Sequence, residues 1–140
     1  MIDNNSIGFT TKTLSNLFRR RICEPEGQLT GMQGWVIGYI YEHGKDHDIY
    51  QRDIEARFNI RRSTATGILQ LMEKNGLLLR CPVPTDARLK KLVLTDKATT
   101  MHEEFKKRAA EIDALAVEGI SEEELKTVLR IMHKMIDNLS

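Results

Sequence analysis

Residues 51–98 read QRDIEARFNIRRSTATGILQLMEKNGLLLRCPVPTDARLKKLVLTDKA, and the succession of periodicities in this stretch decides the fold. Tyr50, Ile54 and Phe58 recur at i, i+4 and i+8, one face of a short helix over 50–58. Asn59 follows, the best substitute for Gly where a helix closes in the left-handed region. A second helix is predicted over 61–74 and stops at Asn75-Gly76. Two helices of these lengths with a turn of about three residues between them have helix-turn-helix proportions. The period then changes. LLLRC (77–81) and KLVLT (91–95) are β-favourable runs bracketing PVPTDARLK, which predicts a hairpin with a long tip.

Outward from this stretch the helical period dominates. Leu14, Leu17, Phe18 and Ile22 form a stripe over a predicted helix at 10–23, ended by Pro25 and Gly27. Thr30 with Gln33 reads as a capping box that opens a helix through Trp35, Val36, Ile37, Ile40 and Tyr41. That helix is apolar almost all round, so it is expected to be the central buried one. HGKDHD (43–48) is read as a loop. After Asp96, Met101, Phe105, Ala109, Ile112 and Ala116 define a long helix that Gly119 breaks. Ser121 with Glu124 forms a second capping box, followed by an apolar stripe through Leu125, Val128, Leu129, Met132, Ile136 and Leu139. With no repeat or linker in view, residues 1–140 are read as one domain.

Hydrophobic residues make up 41% of the 140 and charged residues 29%, a globular balance that excludes a disordered chain. No apolar run approaches the ~20 residues of a membrane span, and the start MIDNNS does not resemble a secretory signal. Two cysteines exclude a disulfide scaffold and fit a reducing, cytoplasmic location. The net charge of +1 hides an uneven distribution. Residues 50–97 carry ten Lys/Arg against five Asp/Glu, whereas residues 1–49 and 98–140 are both net acidic. Basic charge gathered in the middle third suggests a polyanion-binding module; a locally basic, solvated face is the plainer alternative.

On a wheel of the 61–74 helix, Ala65, Ile68, Leu69 and Met72 share the inward face. Opposite lie Ser63, Gly67, Gln70 and Lys74, with Thr66 beside them. A mid-helix Gly costs about 1 kcal/mol relative to Ala, so close approach of DNA is one reason to keep Gly67. Arg61, Arg62, Ser63 and Thr64 stand at the amino end, where backbone amides already favour phosphate. Arg62, Ser63, Thr66 and Gln70 are expected in the major groove, since Arg and Gln can pair bidentately with base edges. Gln51, Arg52, Arg61 and Lys90 are expected to hold phosphates. Arg88 is expected in a flanking minor groove, its guanidinium held in one rotamer by Asp86 two residues earlier; a decorative surface pair is the alternative.

These residues resemble the multiple-antibiotic-resistance regulator (MarR) family of winged-helix transcription factors. Ile60, Ser63-Thr64 and Thr66 match the start of that family's recognition helix, and EKNGLL matches its end. Asp86-x-Arg88 matches the wing, and LVLTDKA the strand-to-helix junction. Departures are Arg61 in place of a Ser-type cap, Asn59 for a common Gly, and Gly67 and Leu71 at frequent basic positions. The resemblance implies a mainly α fold with a β-hairpin wing: a winged helix-turn-helix over about 30–97 and dimerisation helices at about 1–23 and 98–140. It implies a cytoplasmic homodimeric regulator of transcription, most simply a repressor, on a pseudo-palindromic operator with half-sites about 10 bp apart or a multiple. Leu14, Leu125, Leu129, Met132 and Ile136 are the expected interface. Phe18, Trp35, Tyr39 and Met101 are candidates for an aromatic effector cavity, with plain core packing as the alternative.

Other constellations are weaker. His43 and His47 lie four apart among carboxylates, but in a loop without a third ordered ligand, so no metal and no cofactor is expected. Cys23 resembles the hydroperoxide-sensing branch of the family, with Arg19, Arg20 and Arg21 near in sequence; a packing cysteine is the plainer reading. Cys81 is expected to be core-facing or inert. Neither a phosphate loop nor a nucleophile–base pair is present, so no enzyme is expected. A winged-helix protein-interaction module that does not bind DNA is the second functional class, and it would expose an apolar patch on the 61–74 helix or the wing.

Overall fold

A computed structural model describes residues 5–23 and 29–140. The chain order is α1 (Ile7–Cys23), α2 (Gly31–His43), α3 (Gln51–Phe58), α4 (Arg62–Lys74), β1 (Leu78–Val83), β2 (Asp86–Leu94), α5 (Asp96–Ala116) and α6 (Glu122–Leu139). Pro25 and Gly27, the expected end of the first helix, lie outside the described residues, as does the Cys23 side chain.

Local signals account for most boundaries. Thr30 caps α2 as expected: its hydroxyl accepts from the Gln33 amide at 3.2 Å, while the Gln33 side chain accepts from the Thr30 amide. Ser121 and Glu124 repeat the arrangement at α6. Asn59 closes α3 with φ 51° and ψ 50°. Gly76 takes φ +74° after α4, and the Leu77 amide donates back to the Met72 carbonyl at 2.9 Å, the bond that satisfies a helix end closed by a left-handed residue. The first helix starts earlier than expected, at Ile7 rather than 10, because the Ser6 hydroxyl caps it by accepting from the Phe9 amide at 3.2 Å.

One buried cluster holds these elements together. Val36, Ile37 and Ile40 of α2 meet Ile54 of α3, Leu69 and Met72 of α4, Leu78 and Leu92 of the strands, and Phe105 and Ala109 of α5. The expectation of a central second helix is met on that face, but not all round: Trp35 is 48% exposed. Gly34 explains how α2 and α5 come so close, since a Cβ there would fall inside the Phe105 ring. The Arg108 guanidinium ties α5 to α1 by donating to the Ile22 carbonyl at 2.9 Å.

β1 and β2 are antiparallel, with Leu78 opposite Leu94, Arg80 opposite Leu92 and Cys81 opposite Lys91. The strands run further than the expected 77–81 and 91–95, leaving only residues 84 and 85 as the turn. The ladder breaks near the tip: the partner jumps from Lys90 at Pro82 to Asp86 at Val83, so Ala87, Arg88 and Leu89 bow out of register. Strand alternation puts Cys81 on the face with Leu79 and Lys91, opposite the buried Leu78 and Leu92, so it is half-buried rather than core-facing.

Gly34→Ala is expected to lower stability by about 1–3 kcal/mol, the cost of overpacking a filled core. Denaturant melts measure this, and an unchanged midpoint would mean that α2 and α5 are not held at this separation.

Candidate nucleic-acid interface

The face of α4 follows its wheel. Ala65, Leu69 and Met72 are buried and Ile68 is half-buried, while Ser63, Thr64, Gly67, Gln70 and Lys74 are exposed. A Cβ at Gly67 would meet nothing within 4 Å, so no intramolecular packing calls for glycine there. Arg61 is the N-cap and makes no side-chain cap bond. The first-turn amides therefore remain open to an incoming anion, with Arg61 and Arg62 exposed beside them.

Gln51 and Thr66, both expected to touch DNA, meet each other in the fold. Gln51 Nε2 donates to Thr66 Oγ1 at 2.9 Å and to the Arg62 carbonyl at 3.3 Å, bracing the start of α3 against the first turns of α4. Thr66 is consequently half-buried. Arg52 is exposed and lies over the Tyr50 ring at 5.0 Å.

The wing also differs from expectation. Asp86 Oδ1 accepts from the Arg88 backbone amide at 2.9 Å and makes no ion pair with its guanidinium. The carboxylate therefore fixes the bowed backbone that carries Arg88 rather than the rotamer of its side chain. Arg88 and Lys90 are both exposed.

Between α3, the start of α4 and the wing lies a cleft of about 440 Å³ that brings together Arg52, Arg62, Arg80, Arg88 and Lys90. Among the described residues Glu55 is the one carboxylate lining it, and none of the five cations makes an ion pair. Like charges held this close raise a local positive potential that an anion relieves. Arg80 is absent from the sequence-based set. It sits in a β-favourable run, and only the pairing register reveals which way it points.

The match to a model of the MarR family spans residues 28–89, the part that contains α2 to the wing. The crystal structure of MarR from Oenococcus oeni PSU-1 is 31% identical, covering 94% of this chain and 99% of that one, with a TM-score of 0.70. The chain belongs to the MarR family. The crystal structure of the S. aureus MepR–DNA complex superposes with a TM-score of 0.85 at 23% identity, covering 99% of this chain and 100% of that one. The HTH-type transcriptional regulator YybA of Bacillus subtilis (strain 168) is 23% identical over 111 residues, 79% of this chain and 72% of that protein. The MarR-family winged helix is thus the architecture that presents the basic cleft.

The other expected site residues scatter. Trp35 and Tyr39 line one hollow of about 280 Å³ with His102 and Lys106. Phe18 instead lines a separate trough with Leu14, Leu17, Ile112 and Leu115, and Met101 packs against the buried core. The four therefore do not surround one cavity. His43 ends α2, with its ring 6.5 Å from that of His47, and no group of three potential metal ligands occurs among the described residues. Leu71 and Leu79 are exposed on α4 and β1, but neither lines the cleft. Among the described residues no helix is long and apolar enough to cross a membrane.

Gly67→Ala is expected to raise stability by up to about 1 kcal/mol, because a solvent-facing helical Gly is replaced by the best helix former. It is also expected to weaken binding to duplex DNA. Thermal melts and fluorescence anisotropy check the pair, and a stabilised variant with undiminished DNA affinity removes Gly67 from the interface.

Proposed function

We propose that this protein is a sequence-specific DNA-binding regulator that acts as a homodimer and, most simply, represses transcription by occupying its operator. The convergence of five unpaired cations on one cleft, beside the small and polar face of α4, carries this reading. In it, α4 enters the major groove through Arg62, Ser63, Thr66 and Gln70, and Arg88 reaches the flanking minor groove. Arg52, Arg61, Lys74 and Lys90 hold phosphates, while Gln51 and Asp86 position their neighbours. Phosphate contacts set the register and base contacts specify the site. The S. aureus relative of this fold was crystallised with DNA, which supports the same use here.

The dimer reading rests on what α6 leaves uncovered. None of its residues is buried, and Val128, Leu129, Met132, Ile136 and Leu139 are exposed along one stripe. The α1–α5 trough of about 220 Å³ adds Leu14, Leu17 and Leu115 to the apolar surface. A surface of this extent needs a partner, and two-fold pairing of the same elements supplies one.

An effector reading attaches to the hollow at Trp35 and Tyr39. His102 borders it with both ring nitrogens buried and without hydrogen-bond partners, as a polar group awaiting a ligand would be. A small aromatic compound there would change DNA binding only by favouring one dimer conformation over another.

Fluorescence anisotropy with the gene's own upstream DNA and a scrambled duplex tests the function. Selective binding that Arg88→Ala weakens at least tenfold, with an unchanged melting temperature, is expected; absence of binding to either duplex at low salt makes the protein-interaction module the better account. Leu129→Asp is expected to give a monomer by light scattering and to lose operator binding, and a variant that stays dimeric shows that the interface lies elsewhere.

A further inference from the structure

Strand alternation aims Arg80 at a place where an apolar residue belongs. Its cross-strand partner Leu92 is 5% exposed, and Leu78, two residues earlier on the same face, is fully buried. Arg80 nonetheless carries a cationic guanidinium with five donors and no acceptor. Its Nε and Nη2 atoms are sealed from solvent and have no hydrogen-bond partner among the described residues. Burying charged donors unpaired is among the costlier arrangements in a folded protein. The nearby carboxylate does not relieve it, since Glu55 lines the same cleft without forming an ion pair. In the free protein this side chain is therefore held in an unfavourable state, on the floor of a cleft whose other cations are Arg52, Arg62, Arg88 and Lys90.

We propose that Arg80 is a phosphate-holding residue: when a duplex docks, its guanidinium turns the Nε–Nη2 edge out of its unpaired position and grips one backbone phosphate bidentately. The inference rests on the DNA-binding reading above and adds a residue and a chemistry to it. A phosphate is the fitting partner rather than a base edge because of where the cleft lies. Its walls are the first turn of α4, bound for the major groove, and the wing, bound for the minor groove. The sugar-phosphate strand is what separates those two grooves, so it is the strand that passes over Arg80. The planar fork of Arg matches two phosphate oxygens, which the ammonium of Lys cannot do. Inorganic phosphate offers the same chemistry, and the test separates the two sources.

Arg80→Met keeps the length of the stem and removes the charge; Arg80→Lys keeps the charge and removes the fork. Each is compared with wild type by thermal melting and by anisotropy on upstream and scrambled duplexes across a salt series. Arg80→Met is expected to melt no lower than wild type, to lose about tenfold in affinity on both duplexes alike, and to reduce the slope of log K against log salt by about one. Arg80→Lys, which folds with its charge kept, is expected to restore the slope but only part of the affinity. Unchanged affinity in Arg80→Met overturns the proposal, and so does lost affinity with an unchanged slope, which marks a structural role. Selective loss on the upstream duplex overturns it too, since that is base reading. If wild type binds neither duplex, the DNA reading itself has failed, and thermal melting in inorganic phosphate against chloride at equal ionic strength decides the anion site. Stabilisation by phosphate that Arg80→Met abolishes assigns the site to the free anion and overturns the DNA assignment. Equal melting in both proteins removes the site altogether.

Discussion

A hydrogen bond of 2.7 Å from the Leu92 amide to the Ile49 carbonyl joins the wing to the segment that starts α3, and the interface depends on that joint. Leu78 and Leu92 already pack the hairpin onto the core, and this bond adds a directional backbone tie that helps to hold Arg88 at one distance from α4. A second set of bonds fixes those ends. The Thr95 hydroxyl donates to the Gly76 carbonyl at 2.6 Å and Lys97 Nζ to the Asn75 carbonyl at 2.9 Å, tying the close of α4 to the start of α5. The Gln51 side chain supplies a third tie, between α3 and α4. α4 and the wing are thereby set at one separation by backbone and near-backbone contacts. A preset separation reduces the ordering entropy lost on binding.

The same economy explains how charge is spread along the chain. Five of the ten basic residues of the middle third gather at a cleft, while apolar side chains of α3, α4 and the strands pack inward on α2. The acidic excess of residues 98–140 falls on α5 and α6, and α6 carries an exposed apolar stripe, whereas α1 has four cations, Lys12, Arg19, Arg20 and Arg21, and no carboxylate. The net charge of +1 thus conceals two different surfaces, one basic and one apolar.

Much of this was legible in the sequence, and the reason is range. The capping boxes at Thr30 and Ser121, the left-handed Asn59 and the inward face of α4 are settled by residues within four or five positions of one another. What escaped depends on tertiary pairing. Gln51 reaches Thr66 across fifteen residues, so its commitment inside the fold has no local signature. Arg80 reads as an ordinary strand residue until register is known, because a slip of one position would turn it to the other face. Asp86 was expected to hold a guanidinium and holds a backbone amide instead, a choice set by the bulge that breaks the ladder at Pro82 and Val83. Phe18 and Trp35 share an apolar character but sit on different sides of α5, in separate hollows.

If one face, built from α3, α4 and the wing, receives a duplex, the amides of that face are shielded when DNA binds. Hydrogen exchange of the protein with and without bound upstream DNA tests it most directly, because it maps the contact without altering a residue. Slowed exchange is expected over the start of α3, the first turns of α4 and the bowed tip at residues 86–90, with α6 unchanged. Protection confined to α5 and α6, with that face exchanging as in the free protein, would contradict it.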